Sequence, residues 1–182
     1  MMIAIASKAG GYDPWATYVY AREEARRRGD RRVGTEHVVL GLLREPEIAQ
    51  VLGCDLGAAR EALDAMDCDA LVAVGIDTPL GAPPVPTREP ALGGRRSAAQ
   101  PEGVLTDRLP MTPVAKQVLE QSGKDGRHRR PVDRWSRERV LIALLSLAPP
   151  DPAAVLLDAL EVDRAAVGAH LSEAIGKARD GR

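Results

Sequence analysis

The stretch VGTEHVVLGLLREPE, Val33 to Glu47, decides how this chain is read. It reads as a loop turning into a helix. Gly34 or Thr35 can cap the start, since both are favoured N-cap residues. Glu36 falls in the first turn, where a carboxylate suits the positive end of the helix dipole. Val38, Val39, Leu42 and Leu43 follow at the spacing of a buried helical face. Pro46 ends the run, because the residue before a proline is pushed out of the α region. The pattern returns in altered form as WSRERVLIALL, Trp135 to Leu145. There Glu138 stands in the place of Glu36 and the apolar spacing is kept.

Working outward, Asp13-Pro14 opens a helix predicted to reach Arg28, with Gly29 as its stop. Trp15, Tyr18, Val19, Ala21 and Ala25 form its inner face. Arg22, Glu23, Glu24, Arg26, Arg27 and Arg28 form a solvated face. The organising helix runs from Thr35 to Arg44. Pro46 opens a short third helix through Ile48, Val51 and Leu52 that stops at Gly53. Asp55 caps a fourth, in which Leu56, Ala59, Leu63 and Met66 share a face. The run from Asp69 to Val74 fits either a last helical turn or an extended piece.

The same order repeats further on. Thr112 caps a helix with Pro113 in first position and Val114, Val118 and Leu119 inward. Ser136 caps the second copy of the organising helix, which is predicted to reach Leu147. Pro149-Pro150 breaks the chain and Asp151-Pro152 starts again, with Val155, Leu156, Leu157 and Leu160 packing. Asp163 caps a last helix holding Val167, Leu171 and Ile175 inside. The charged tail after Gly176 is expected to fray.

Internal repetition is the decisive organisational signal. The expected fold class is all-α: a duplicated four-helix repeat, two pseudo-twofold-related lobes joined by a long Pro/Gly-rich linker. The boundaries are a loosely held arm over 1–11, a first repeat over 12–74, a linker over 75–108 and a second repeat over 109–178. The linker holds six of the chain's 14 prolines, and no apolar period survives in it.

Composition agrees with helices. Of 182 residues 45% are hydrophobic, yet there is no Phe, so the core must be aliphatic. The net charge of −1 gives no global pull toward nucleic acid or membrane. The two cysteines, Cys54 and Cys68, make no disulfide framework and read as small buried groups in a reducing compartment. The apolar start is too short for a signal peptide, and no run approaches a membrane span. A cytoplasmic location is expected.

At this point the chain is similar to a known family, the amino-terminal substrate-receptor domain of Clp ATPases, of the ClpC type. Gly34-Thr35-Glu36-His37 followed by VVLGLLRE resembles that family's first repeat. Leu109-Pro110-Met111-Thr112-Pro113 followed by AKQVLE resembles the opening of its second. The resemblance covers nearly everything except the arm and the linker. Four departures stand out. The third helix of the first repeat is shorter than the family pattern, Ser136-Arg137-Glu138-Arg139 replaces a second Gly-Thr-Glu-His turn, Met111 replaces a phenylalanine, and the linker is much longer. No G-x-x-x-x-G-K-[ST] phosphate loop is present, so ATP hydrolysis is not expected.

The resemblance implies a stand-alone receptor without its motor. Domains of this type bind phosphorylated arginine on proteins, with the turn glutamate on the guanidinium and the helix start on the phosphoryl group. Gly34, Thr35 and Glu36 carry over as a first site, and Glu138 as the remnant of a second. Arg137, in the threonine's place, can hold a phosphate bidentately. Leu109 and Met111 offer an apolar surface to a partner. The implied partners are phosphoarginine-bearing or unfolded client proteins, and a Clp ATPase or its small-molecule ligands. No cofactor, metal or catalytic role is implied.

Plainer readings stay open beside these. Thr35 and Glu36 suit an ordinary helix start equally well. Glu138 among Arg134, Arg137 and Arg139 fits a surface salt bridge. His37 fits a structural role and Met111 a core one. A different class of function rests on residues 124–139, which hold seven Lys/Arg against three Asp/Glu. Such a basic loop and helix can contact nucleic acid, although Val140, Leu141, Leu144 and Leu145 suit a buried helix better.

Overall fold

Aspartate and proline at helix starts, and glycine at helix ends, set the order of elements. The computed structural model describes residues 14–76, 109–121 and 137–180. The arm, all but the first two residues of the expected linker, and most of the basic loop (Arg134, Trp135 and Ser136 included) lie outside the described residues. Within them the protein is all-α. The helices are α1 (Pro14–Arg28), α2 (Thr35–Leu42), α3 (Pro46–Leu52), α4 (Leu56–Ala73), α5 (Pro113–Gln121), α6 (Arg137–Leu145), α7 (Pro152–Ala159) and α8 (Arg164–Asp180).

The caps are those the sequence supplies. The Asp55 carboxylate accepts from Ala58 N–H at 2.8 Å, Asp151 from Ala153 N–H at 3.0 Å and Asp163 from Ala166 N–H at 2.9 Å. Each satisfies an amide that the first turn leaves without a helical partner. Gly53 ends α3 in the left-handed region, with φ of 72°. The undecided run from Asp69 to Val74 is helical, as α4 continues to Ala73. Three ends differ from expectation. α2 stops at Leu42 rather than Arg44, α6 stops at Leu145 rather than Leu147, and α8 runs on past Gly176 to Asp180, where Lys177 and Glu173 pair at i,i+4 spacing.

α2 lies at the centre and packs against α1, α4, α5, α6 and α7. Val38, Val39, Leu40 and Leu42 on it are fully buried, and burying such side chains stabilises by about 1.5–3 kcal/mol each. They meet Ala21 and Ala25 of α1, Ala59 and Leu63 of α4, Val118 of α5, Val140, Leu141 and Leu144 of α6, and Leu156 and Leu157 of α7 in one core. α1 comes closest at Gly41, where an added Cβ would lie 3.0 Å from Ala21 N and 3.1 Å from Thr17 O. The segment before α5 is stitched to the loop before α2. Val33 N–H donates to Pro110 C=O at 2.9 Å and Thr112 N–H to Val33 C=O at 2.9 Å. Tyr18 Oη adds a hydrogen bond to Leu109 C=O at 3.1 Å.

Three expected positions are corrected. Val114 is exposed, and Ala115 takes its place beside Val118 and Leu119, because the i, i+3, i+4 stripe starts one residue later. Arg28 is mostly covered, its guanidinium held by Asp30, Asp64 and Asp67. Glu24, placed by periodicity on the solvated face, is 1% exposed. Its carboxylate receives Arg60 Nε at 2.9 Å and Nη2 at 2.6 Å, and Arg44 Nη2 at 2.9 Å. Arg44 in turn holds Glu23 and lies over the Tyr20 ring, 4.9 Å from its centre. These ions tie α1 to the end of α2 and to α4. Of the expected inner face of α1, Tyr18, Ala21 and Ala25 are buried and Val19 half-buried. The Trp15 side chain lies outside the described set.

Burial alone would raise the Glu24 carboxyl, but the hydrogen bonds and charges of Arg60 and Arg44 outweigh it and hold it below its ordinary 4.5. A carboxylate depressed by folding stabilises fully above the unfolded value and loses that contribution as pH falls through the folded one. Glu24→Ala takes the carboxylate from Arg60 and one of two from Arg44, and is expected to cost about 3 kcal/mol at neutral pH. In denaturant melts, the gap between wild type and Glu24→Gln should narrow only below pH 4.5. Gly41→Ala should cost about 1–3 kcal/mol by forcing α1 away from α2.

Candidate functional site

The start of α2 is built without a capping side chain. Gly34 is its N-cap, extended at φ −94° and ψ −179°. His37 reaches back instead, and Gly34 N–H lies 3.0 Å from Nδ1. His37 is 1% exposed. Its Nε2 lies 3.0 Å from Asp30 Oδ2, and Arg28 Nε donates to the same carboxylate at 3.3 Å. Asp30 thereby fixes the ring from the side opposite the helix start.

The Glu36 side chain folds back over Gly34. A Cβ at position 34 would fall 2.2 Å from Glu36 Oε1, so with any larger residue here the Glu36 side chain would have to move. Oε1 lies 2.9 Å from His37 Nδ1. Oε2 is buried and has no hydrogen-bond partner among the described residues. The Glu36 side chain as a whole keeps 16% of its surface open. Burial works against its charge, yet the His37 hydrogen bond and charge, its own backbone N–H and Arg28 together hold the carboxyl below its usual range. The site is thus an ionised carboxylate with unused acceptor capacity, set beside a helix start.

Thr35 faces the other way. It is 2% exposed. Its hydroxyl donates to Asp151 Oδ1 at 2.7 Å and lies 3.4 Å from Ala153 N. The side chain therefore joins the start of α2 to the start of α7, and only the Thr35 backbone serves the helix start itself. Met111 is bridged to Val33, next to Gly34 in the chain. Leu109 and Met111 are both half-buried and packed against the core.

Glu138 holds the second position of α6, as Glu36 does of α2, and its side chain is 14% exposed. Its setting is different. Arg137 Nε donates to Glu138 Oε1 at 3.2 Å and Nη1 to Glu45 Oε2 at 2.6 Å, and Glu47 also pairs with Nη1. A phosphate at Arg137 would compete with three carboxylates. The predicted residues thus fall into two groups, Gly34-Thr35-Glu36 and Arg137-Glu138, joined through the turn between α2 and α3.

The periodicity did not mark Asp30, Arg28 or Asp151 as parts of the site. Asp151 stands 116 positions from Thr35, beyond any local pattern. Asp30 has a weak signal, an acid closing the loop before a Gly-Thr-Glu-His turn. Cys54 and Cys68 are free and half-buried. Among the described residues no cluster of His, Cys, Asp and Glu has the arrangement of a metal site, and no helix is long and apolar enough to cross a membrane. No family model matches the chain, and no curated protein matches it.

Thr35→Val keeps the shape and removes the hydroxyl, leaving Asp151 and Ala153 with one partner fewer. We expect a loss of about 1 kcal/mol, with Thr35→Ser near wild type in thermal melts. A variant Thr35→Val as stable as wild type would remove this hydrogen bond from the account.

Proposed function

We propose that this chain is a non-enzymatic binding module for phosphorylated arginine on client proteins, related to the amino-terminal receptor domains of Clp ATPases. In that reading it acts as an adaptor, a competitor or a decoy in Clp-dependent proteolysis. The observation that carries it is Glu36. Its carboxylate is ionised, one oxygen lies against His37, and the other is buried without a partner. An acceptor in that condition gains from a guanidinium fork. The α2 amides beside it favour the phosphoryl anion. One small site would then read both charges of the group together.

The relationship rests on an internal duplication, for which the helix order gives support. α1 and α5, like α3 and α7, begin at proline, while α4 and α8 are capped by Asp55 and Asp163. α2 and α6 have 8 and 9 residues, α3 and α7 have 7 and 8, and α4 and α8 have 18 and 17. α2 and α6 also pack on each other, as elements beside a pseudo-twofold axis would. Glu36 and Glu138 then occupy equivalent positions. Because Arg137 already neutralises Glu138, the reading assigns tight binding to the α2 site alone. Leu109 and Met111 would supply an apolar edge for the residues flanking the phosphoarginine.

Calorimetric titration with free phosphoarginine, against arginine and phosphoserine, tests the reading. Saturable binding of phosphoarginine alone, one per chain, is expected. Glu36→Ala should weaken it at least tenfold, about 1.4 kcal/mol, while Glu138→Ala leaves it unchanged. Phosphoarginine binding that survives Glu36→Ala would remove the α2 start as the site.

A further inference from the structure

The ring of His37 is offered two hydrogen bonds that it cannot make together. Nδ1 lies 3.0 Å from Gly34 N–H and 2.9 Å from Glu36 Oε1. The first contact needs a lone pair on Nδ1 and the second needs a proton there. Nε2 is not in dispute, since it can donate to Asp30 in either state. We propose that His37 is a positioning residue that latches Glu36 according to its own protonation, which rests on the binding reading above only for its consequence at the ligand.

With both ring nitrogens protonated, Nδ1–H donates to Glu36 Oε1 and holds the carboxylate over Gly34. When the Nδ1 proton leaves to water, the nitrogen lone pair faces the carboxylate and repels it. Nδ1 then accepts from Gly34 N–H, and the carboxylate turns outward. Gly34 leaves room for the latched position, where a Cβ would lie 2.2 Å from Glu36 Oε1. Histidine is the side-chain type whose charge changes near neutral pH, which is the chemistry such an exchange needs.

Among the described residues, Asp30, on the loop before α2, and Glu36, on α2, are the acids in contact with the ring. Arg28 of α1 is taken up by Asp30 and by Asp64 and Asp67 of α4. Asp151, at the start of α7, is engaged by the Thr35 hydroxyl. On α6, Arg137 and Glu138 pair with each other, and on α5 Lys116 pairs with Glu120. The consequence is directional. A carboxylate turned outward offers both oxygens to a guanidinium, so affinity should rise as pH increases through the His37 titration.

The test is an NMR titration of the full chain without ligand, with nitrogen-15 histidine and carboxyl-labelled glutamate. The latch predicts that Nδ1 loses its proton while Nε2 keeps its own, and that the Gly34 amide and Glu36 carboxyl signals move at that same midpoint. Asp30→Asn, at a partly exposed residue, should carry all three midpoints to lower pH together. A ring that titrates while Gly34 and Glu36 stay still overturns the latch. So does a ring that keeps one state between about pH 5 and 8, or midpoints that separate in Asp30→Asn. Because no ligand is present, failure to bind phosphoarginine would sink the binding reading and leave this result to stand on its own.

Discussion

Helix α2 is enclosed by α1, α4, α5, α6 and α7, so each polar group on it must find its partner inside the protein. That single requirement accounts for much of the local design. Thr35 spends its hydroxyl on Asp151, and His37 spends its ring on Asp30 and on the helix start. Gly41 yields its side chain so that α1 can approach. The group on α2 left short is Glu36, whose Oε2 is buried and has no hydrogen-bond partner among the described residues. A buried acceptor left open at the start of a helix is where binding is best sought.

Charge does a second kind of work around that helix. Glu24 is a buried anion surrounded by arginines from two other elements, and Arg28 is a cation surrounded by aspartates from two others. Buried ions of this sort add little net stability over a well-packed apolar pair, but they penalise any other arrangement of the helices. Arg137 plays the same part between α6 and the turn after α2. The helices are thus held at fixed angles by ions while aliphatic side chains supply most of the burial.

Helix starts and stops were legible because their signals are local. Asp55, Asp151 and Asp163 cap where a cap was expected, Pro46, Pro113 and Pro152 sit in first turns, and Gly53 closes α3. Glu24 is misplaced because periodicity registers polarity and cannot foresee two arginines arriving from the turn after α2 and from α4. Val114 was misplaced because Ala115, a small residue, carries a weak apolar signal while occupying the inward position. At the site, Gly34 and Glu36 were visible as a turn and a first-turn acid. The inward set of Thr35 was not, since its partner lies in another part of the chain. The bracketing of His37 by two carboxylates emerges only when the loop before α2 is folded.

The bond between Thr35 and Asp151 also bears on how the chain becomes a protein. The cap of α7 is completed by a residue that precedes it by more than half the sequence, and α2 cannot bury its faces until α5, α6 and α7 arrive. The described segments 14–76 and 109–180 thus share one interior, and neither closes its core without the other.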